Sequence, residues 1–145
     1  DPMGLAALLN GPVANAFVAT REGKKHITIE TLEAIPVPRF TDAQLADIHR
    51  LVGEYLRTTR RRDVHRREQV LRQIDAAVLA AYALPPRTER LLLDFFNGYS
   101  RPVPFCFGDY FPADHESCFS LADYLSPEFQ KATVGALLKR LGNTY

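Results

Sequence analysis

The chain has 145 residues, of which 46% are hydrophobic and 24% charged, and its formal net charge is +1. This composition predicts a packed core and excludes a disordered chain, and the length fits one domain or two small subdomains. Two cysteines are too few for a disulfide-rich secreted scaffold, which favours a cytoplasmic location. We expect no transmembrane helix and no signal peptide, because neither pattern is present.

The first elements in chain order are short. Leu5 to Leu9 predicts an apolar helix, which the turn at Asn10-Gly11-Pro12 ends. Val13 to Thr20 fits a helix or a strand. Ile27 to Ile29 alternates apolar and polar residues and predicts a brief strand followed by one helical turn. The alternative is a helix that begins here with Thr28 as its N-cap. Asp1-Pro2 before Met3 suggests a piece of a longer protein, although a short gene starting at Met3 is also compatible.

Two long helices form the centre of the predicted fold. The segment Ile35-Pro36-Val37-Pro38 is forced to be extended. Thr41 with Gln44 three residues later forms a capping-box pattern, and the helix that follows should run to about Thr58. A second helix is predicted from about Asp63 to Ala83. The two helices carry apolar stripes, which are Leu45, Ile48, Val52, Tyr55 and Leu56 on the first and Val70, Leu71, Ile74, Ala77, Val78, Ala81 and Tyr82 on the second.

The C-terminal part mixes helices with a segment rich in proline and aromatic residues. Pro85-Pro86 end the second helix, and a third helix should run from Arg87 to Phe96 and end near Gly98. The segment from Pro102 to Pro112 is too apolar for a free linker, so we expect a strap over the apolar face of the helical pair. One or two helices should close the chain, with a break at Ser126-Pro127.

These elements predict a mainly α fold. It consists of a helical hairpin with additional helices, a minor β element near residues 27–29 and the strap. We divide the chain at residues 40 and 98. Residues 41–98 hold the hairpin and the third helix, and residues 99–145 hold the strap and the C-terminal helices.

Arginines are concentrated at the joint between the two long helices. Guanidinium groups bind phosphate oxygens in a bidentate manner, and such a cluster supplies sequence-independent affinity for nucleic acid. We predict that six of them bind DNA phosphates: Arg57, Arg60, Arg61, Arg62, Arg66 and Arg67. Arg72 is a seventh member of the run. The alternative is a solvated helix face whose charge is balanced by Asp63, Glu68 and Asp75.

A metal site has little support in the sequence. Cys106, His115 and Cys118 supply three soft ligands, whereas a structural zinc site needs four. Two small buried cysteines near a surface histidine are the preferred interpretation. We therefore predict no metal and no cofactor in this chain.

A catalytic site has no more support. Glu22 and Lys24 fit a polar turn, and nothing in the sequence is expected to perturb the pKa values of Asp109, Asp114 and Glu116. A small nuclease that uses these acidic groups with His115 is the enzymatic alternative. We predict no catalytic residues, because no nucleophile, base and orienting group occur together.

The first 57 residues carry a series of short motifs. They are Leu8-Leu9-Asn10, His26-Ile27-Thr28, Ile35-Pro36-Val37-Pro38 and the helix pattern from Asp42 to Leu56. In this order they resemble the end of the target recognition domain in bacterial restriction–modification proteins. The family comprises adenine-N6 DNA methyltransferases, fused methyltransferase–endonucleases and the specificity subunits of type I systems. The later part looks like the C-terminal extension of some of these proteins.

The resemblance implies a role in DNA recognition without catalysis. Residues 1–40 would be the end of a target-recognition-like module, with a proline-stiffened exit and a helical spacer. The family's N/D-P-P-Y/F motif and its glycine-rich S-adenosylmethionine motif are absent, and "LPPR" at Leu84 to Arg87 does not replace the former. The expected partners are DNA and the remainder of a larger restriction–modification protein. A helical protein-interaction module that does not bind nucleic acid is the alternative, and the oligomeric state stays open.

Overall fold

A computed structural model describes residues 1–21, 27–98, 107–111 and 118–142 of the chain. Within these ranges the regular elements are all helical, which confirms the mainly α prediction. In chain order they are α1 (Pro2–Asn10), α2 (Pro12–Arg21), α3 (Ile29–Glu33), α4 (Asp42–Arg61), α5 (Val64–Tyr82), α6 (Pro86–Asp94), a 3-10 helix (Phe107–Tyr110), α7 (Leu121–Leu125), α8 (Pro127–Lys131) and α9 (Val134–Gly142).

The α4–α5 hairpin forms as the capping patterns predict. The Thr41 hydroxyl accepts from the Gln44 backbone N–H at 3.2 Å, and Gln44 Oε1 accepts from the Thr41 N–H at 2.9 Å. This reciprocal pair satisfies two N–H groups that the helix itself leaves unpaired. At the other end, α4 continues three residues beyond the predicted Thr58, to Arg61. Asp63 then caps α5 by accepting from the Arg66 N–H at 3.0 Å.

Helix α5 lies between two hydrophobic cores. The first core joins α1, α4 and α5 through Ala7, Ile48, Leu51, Val70, Ile74 and Val78. The second core joins α5, α6, the 3-10 helix and α7 through Ala76, Leu79, Leu93, Phe96, Phe107, Tyr110, Phe111 and Leu121. Because α5 is covered on two sides, it buries more of its surface than the single predicted stripe accounts for.

The predicted strand at Ile27 to Ile29 is wrong. Thr28 has extended backbone angles, but its hydroxyl accepts from the Thr31 N–H at 3.2 Å, and α3 begins at Ile29. A strand is stable only beside a partner strand, and none lies in the described part of the chain. The N-cap therefore prevails over the alternating pattern. Val13 to Thr20, which fitted either structure, is helical and lies in α2.

The proline segment after α3 is fixed to the end of α5. The Tyr82 hydroxyl donates to the Pro36 carbonyl oxygen at 2.6 Å, and Ile35 is buried. Burial of the phenol raises the pKa of Tyr82 above its ordinary value. Pro36 and Pro38 fix their own φ and restrict the residue before each, so this hydrogen bond and the burial of Ile35 act on a segment with few backbone conformations.

The described part of the strap is packed against the helices. Phe107, Tyr110 and Phe111 are buried, and the rings of Phe96 and Phe107 meet edge to face with centroids 4.6 Å apart. The remainder of the predicted strap, residues 102–106 and 112, lies outside the described residues. Beyond it, Ser126 ends α7 and caps α8 by accepting from the Phe129 N–H at 3.2 Å, as the predicted break requires.

The described helices contain no single segment that is long and apolar enough to cross a membrane. The consecutive helices α1 and α2 reach the required length and composition only together, and they are bent by 57° at their joint.

Helix α5 ends on an alanine in the left-handed region, and this predicts a stabilising substitution. Ala83 has φ 51° and ψ 39°, a conformation that costs an L-residue about 1–2 kcal/mol and costs glycine almost nothing. Glycine loses more entropy on folding, which offsets part of this gain. We therefore expect Ala83→Gly to stabilise the protein by a net amount of about 0.5–1 kcal/mol in urea denaturation. Ala34→Gly is the matched control, since Ala34 caps α3 with φ −83°. Stabilisation of both variants would contradict the prediction.

A buried carboxyl group links α6 to α7 and predicts a pH dependence of stability. Glu89 is 2% exposed, and its Oε1 accepts from the Leu121 N–H. Burial raises the pKa of Glu89, the Leu121 hydrogen bond opposes this shift, and the nearby Asp123 carboxylate adds to it. Because the folded pKa lies above the ordinary value of 4.5, folding stability should fall as pH rises from about 4.5 through the raised pKa.

The variant Glu89→Gln keeps an acceptor oxygen for the Leu121 N–H and cannot ionise. Its unfolding free energy should therefore lack the fall that the wild type shows across this pH window, and it should exceed the wild-type value at pH 7. Urea denaturation of the wild type and the variant at several pH values measures the fall and the difference at pH 7. Repeating the series in 1 M salt is the control, since burial acts at any ionic strength whereas long-range surface charge is screened. Parallel curves for the two proteins would contradict the prediction.

Candidate nucleic-acid interface

The joint between α4 and α5 forms a basic tip, defined here as residues 57–67. It contains six arginines and one aspartate. The last turn of α4, the connecting residue Arg62 and the first turn of α5 meet here because the hairpin reverses the chain within two residues. The predicted DNA-binding arginines are thus neighbours in space as well as in sequence.

Three arginines lie on the exposed surface at the end of α4. Arg57, Arg60 and Arg61 are spaced three and four residues apart, which places them on one side of the helix. Their charges also complement the partial negative charge at the helix C-terminus. In the part of the chain that the structure describes, none of the three forms an ion pair. All three arginines are exposed to solvent.

Arg62 extends this exposed charge into the turn. It is exposed and adopts φ 56° and ψ 27°, a left-handed conformation that ends α4. Its N–H bonds back to the carbonyl groups of Thr58 and Thr59, so the backbone of the turn is held by α4 itself. The geometry therefore places a fourth arginine at the outermost point of the hairpin.

The remaining arginines of the run have structural contacts. Arg66 donates from Nε and Nη2 to Glu54 Oε1 at 2.7 and 2.5 Å, which ties α5 to α4. Arg67 is half-buried. The guanidinium of Arg72 lies over the ring of Tyr110, 5.5 Å from its centroid. The six predicted residues therefore separate into four that are exposed, Arg57, Arg60, Arg61 and Arg62, and two that are half-buried, Arg66 and Arg67.

The acidic residues that could neutralise the tip differ in position. Asp63 caps α5, and Glu68 is half-buried in the same helix. Asp75 is only 1% exposed and accepts a hydrogen bond from the Tyr110 hydroxyl in the second core. Asp75 thus does not belong to a solvated, charge-balanced face, as the alternative interpretation of the arginine run assumed. The one sequence signal of this burial is the position of Asp75 within the apolar run of α5.

The acidic and metal-ligating candidates do not come together in the described residues. Asp109 is exposed in the 3-10 helix, and Cys118 is a half-buried free thiol. No group of three histidine, cysteine, aspartate or glutamate side chains in this part of the chain could hold a metal ion. The other candidates lie outside the described residues: Glu22, Lys24, Cys106, Asp114, His115 and Glu116.

The tip offers charge but little surface for stacking. Residues 57–67 include no phenylalanine, tyrosine or tryptophan, and His65 is the only ring, whereas proteins that hold single strands stack successive bases on several aromatic rings. Arginines on a rigid helical hairpin can instead contact the phosphate backbone of a duplex. The chemistry available at this surface is therefore ionic binding of phosphate groups.

Comparison with known proteins identifies no relative of this chain. No protein-family model, no curated protein and no solved structure matches the chain.

Proposed function

We propose that this chain is a non-catalytic, DNA-binding accessory region that contacts the phosphate backbone of a duplex through its basic tip. One observation carries the proposal: Arg57, Arg60, Arg61 and Arg62 are exposed together, and the described residues provide none of them with an ion-pair partner. The resemblance of residues 1–57 to restriction–modification proteins supports DNA as the partner and a larger methyltransferase as the setting.

Rigidity is what makes the tip a useful binding surface. Both long helices are capped, and the Arg66–Glu54 ion pair joins them one turn from the exposed arginines. The first core packs α4 against α5 beneath the tip. The arginines are thereby held close together before DNA arrives, so less backbone entropy is lost on binding. Phosphate contacts of this kind fix position and orientation but do not read sequence.

The test is fluorescence-anisotropy binding to a labelled duplex over a salt series. If the four exposed arginines each neutralise one phosphate, the logarithm of the association constant should fall against the logarithm of salt concentration with a slope of about −3.6. An unlabelled duplex of unrelated sequence should compete equally well, because the contacts are to phosphates. Absence of binding at low salt would overturn the proposal.

A second candidate function is a helical protein-interaction module. It is favoured by a run of exposed apolar side chains around α3 and the proline segment: Ile27 at 56%, Ile29 at 75%, Leu32 at 43% and Val37 at 67% exposure. Contiguous exposed apolar surface often marks a protein interface. Light scattering over a concentration series tests self-association through this surface, and a strictly monomeric protein would count against it.

A further inference from the structure

A cavity of about 310 Å³ lies between α1, α4 and α5, beside the α1–α2 joint. Its wall is mainly apolar and includes Ala6 and Ala7 of α1, Leu56 of α4 and Leu71 and Ile74 of α5. Ala7, Leu71 and Ile74 are buried, whereas Ala6 and Leu56 are exposed, so the cavity is a pocket that opens to solvent at one side. Its volume is at the lower end of the range for small-molecule sites, about 300–1,000 Å³.

The lining also includes polar side chains, from Asn10, Asn15 and Asp75. Asn15 Nδ2 donates to the Gly11 carbonyl at 2.8 Å and to the Leu9 carbonyl at 3.3 Å. These two bonds use the amide donors, so the hydrogen-bonding capacity that Asn15 retains is that of its Oδ1 acceptor. Asn10 Nδ2 likewise donates to the Ala6 carbonyl, at 2.8 Å.

The polar part of the lining therefore includes one available acceptor, Asn15 Oδ1. Asp75 also lines the cavity, and its Oδ2 accepts from the Tyr110 hydroxyl. A ligand that matched this lining would place an apolar body against Leu71 and Ile74 and direct a hydrogen-bond donor towards Asn15 Oδ1. The apolar wall excludes a strongly charged ligand, since burying an ion there would cost its hydration.

We propose that this cavity is a binding site for a small, uncharged, mainly apolar molecule that carries one hydroxyl or N–H donor. A cavity of about 150 Å³ holds one benzene ring, so a volume of about 310 Å³ suits a fused two-ring compound. This site is separate from the basic tip in its chemistry and does not depend on DNA binding. The DNA-binding proposal can fail while this one stands.

The experiment adds 1-naphthol as the probe to the full chain. Methyl NMR measures its binding and locates it. The matched probe is 1-methylnaphthalene, in which a methyl group replaces the hydroxyl. We expect 1-naphthol to bind and to give intermolecular NOEs to the Leu71 and Ile74 methyl groups. The matched probe should bind about fivefold to tenfold more weakly, because it cannot donate a hydrogen bond to Asn15 Oδ1.

The variant Ala6→Phe should block the opening and weaken 1-naphthol binding at least about tenfold. Leu5→Phe is the matched control, since Leu5 is exposed on α1 but does not line the cavity, and its affinity should stay within about twofold of wild type. No binding of 1-naphthol at 2 mM, or NOEs that place it elsewhere, would overturn the proposal without any variant. Equal affinity for the two probes would overturn the donor requirement.

Discussion

Replacing Arg57, Arg60 and Arg61 together with alanine should weaken duplex binding by about 100-fold or more at 0.1 M salt. Each arginine that contacts a phosphate releases bound counterions, and each contributes about −0.9 to the salt slope. Loss of three contacts should therefore reduce the slope from about −3.6 to about −0.9. Alanine is the best helix former, and the three side chains are exposed, so α4 should remain folded.

The matched control for this variant replaces Arg39, Arg87 and Lys131 with alanine. It removes the same net charge from three exposed positions outside the tip, which like the tip arginines form no ion pair among the described residues. If the tip is the contact surface, the control should bind DNA within a few-fold of wild type. Equal losses in both triple variants would mean that net charge alone governs the binding, and would overturn the assignment of the tip.

Arg62 allows the effects on affinity and on stability to be separated. Arg62→Gly removes one tip charge and also relieves the left-handed strain at φ 56°. We expect this variant to bind DNA about eightfold more weakly at 0.1 M salt and to unfold at a higher urea concentration. Such opposite changes could not arise from a general loss of folding.

The second large effect is expected in the buried pair of Tyr110 and Asp75. Both residues are 1% exposed, and the Tyr110 hydroxyl donates to Asp75 Oδ2. Tyr110→Phe keeps the ring, including its edge-to-face contact with Phe107 and its position beneath Arg72. The variant loses the hydrogen bond to a buried carboxyl group, so we expect it to destabilise the protein by about 2 kcal/mol in urea denaturation.

Tyr55→Phe is the control for this prediction. Tyr55 is half-buried in α4, and its ring packs against the first core. Removal of its hydroxyl, which has no hydrogen-bond partner among the described residues, should change stability by less than about 0.5 kcal/mol. If the two variants were equally stable, the Tyr110–Asp75 hydrogen bond would contribute no net stability.

Several helix starts were predictable from the sequence because their causes are local. Thr41 and Gln44 lie three residues apart and cap α4, as their spacing predicts. Pro12 and Pro127 begin new helices at the predicted breaks, since proline has a fixed φ and no N–H. Each of these features depends on contacts within one helical turn, so no knowledge of the rest of the fold is needed.

The composition of the basic tip was also predictable, but the exposure of each arginine was not. Arg57, Arg60 and Arg61 occupy positions on α4 that neither core covers. Arg66 and Arg72 are drawn to Glu54 and to the Tyr110 ring, partners 12 and 38 residues away in sequence. Helical spacing indicates which residues share a face, but the elements that pack on that face are decided by tertiary structure.

The strand predicted at Ile27 to Ile29 illustrates the same limit. An alternating pattern indicates that a segment could pair in a sheet, yet pairing depends on a second strand elsewhere in the chain. The local N-cap at Thr28 needs no such partner, and α3 forms instead. Sequence alone therefore determined the helix starts after Thr41, at Pro12 and at Pro127, and the arginine-rich joint of this protein. Tertiary structure decided the two-sided burial of α5, the Tyr110–Asp75 pair and the four exposed arginines, because these depend on contacts between residues distant in the chain.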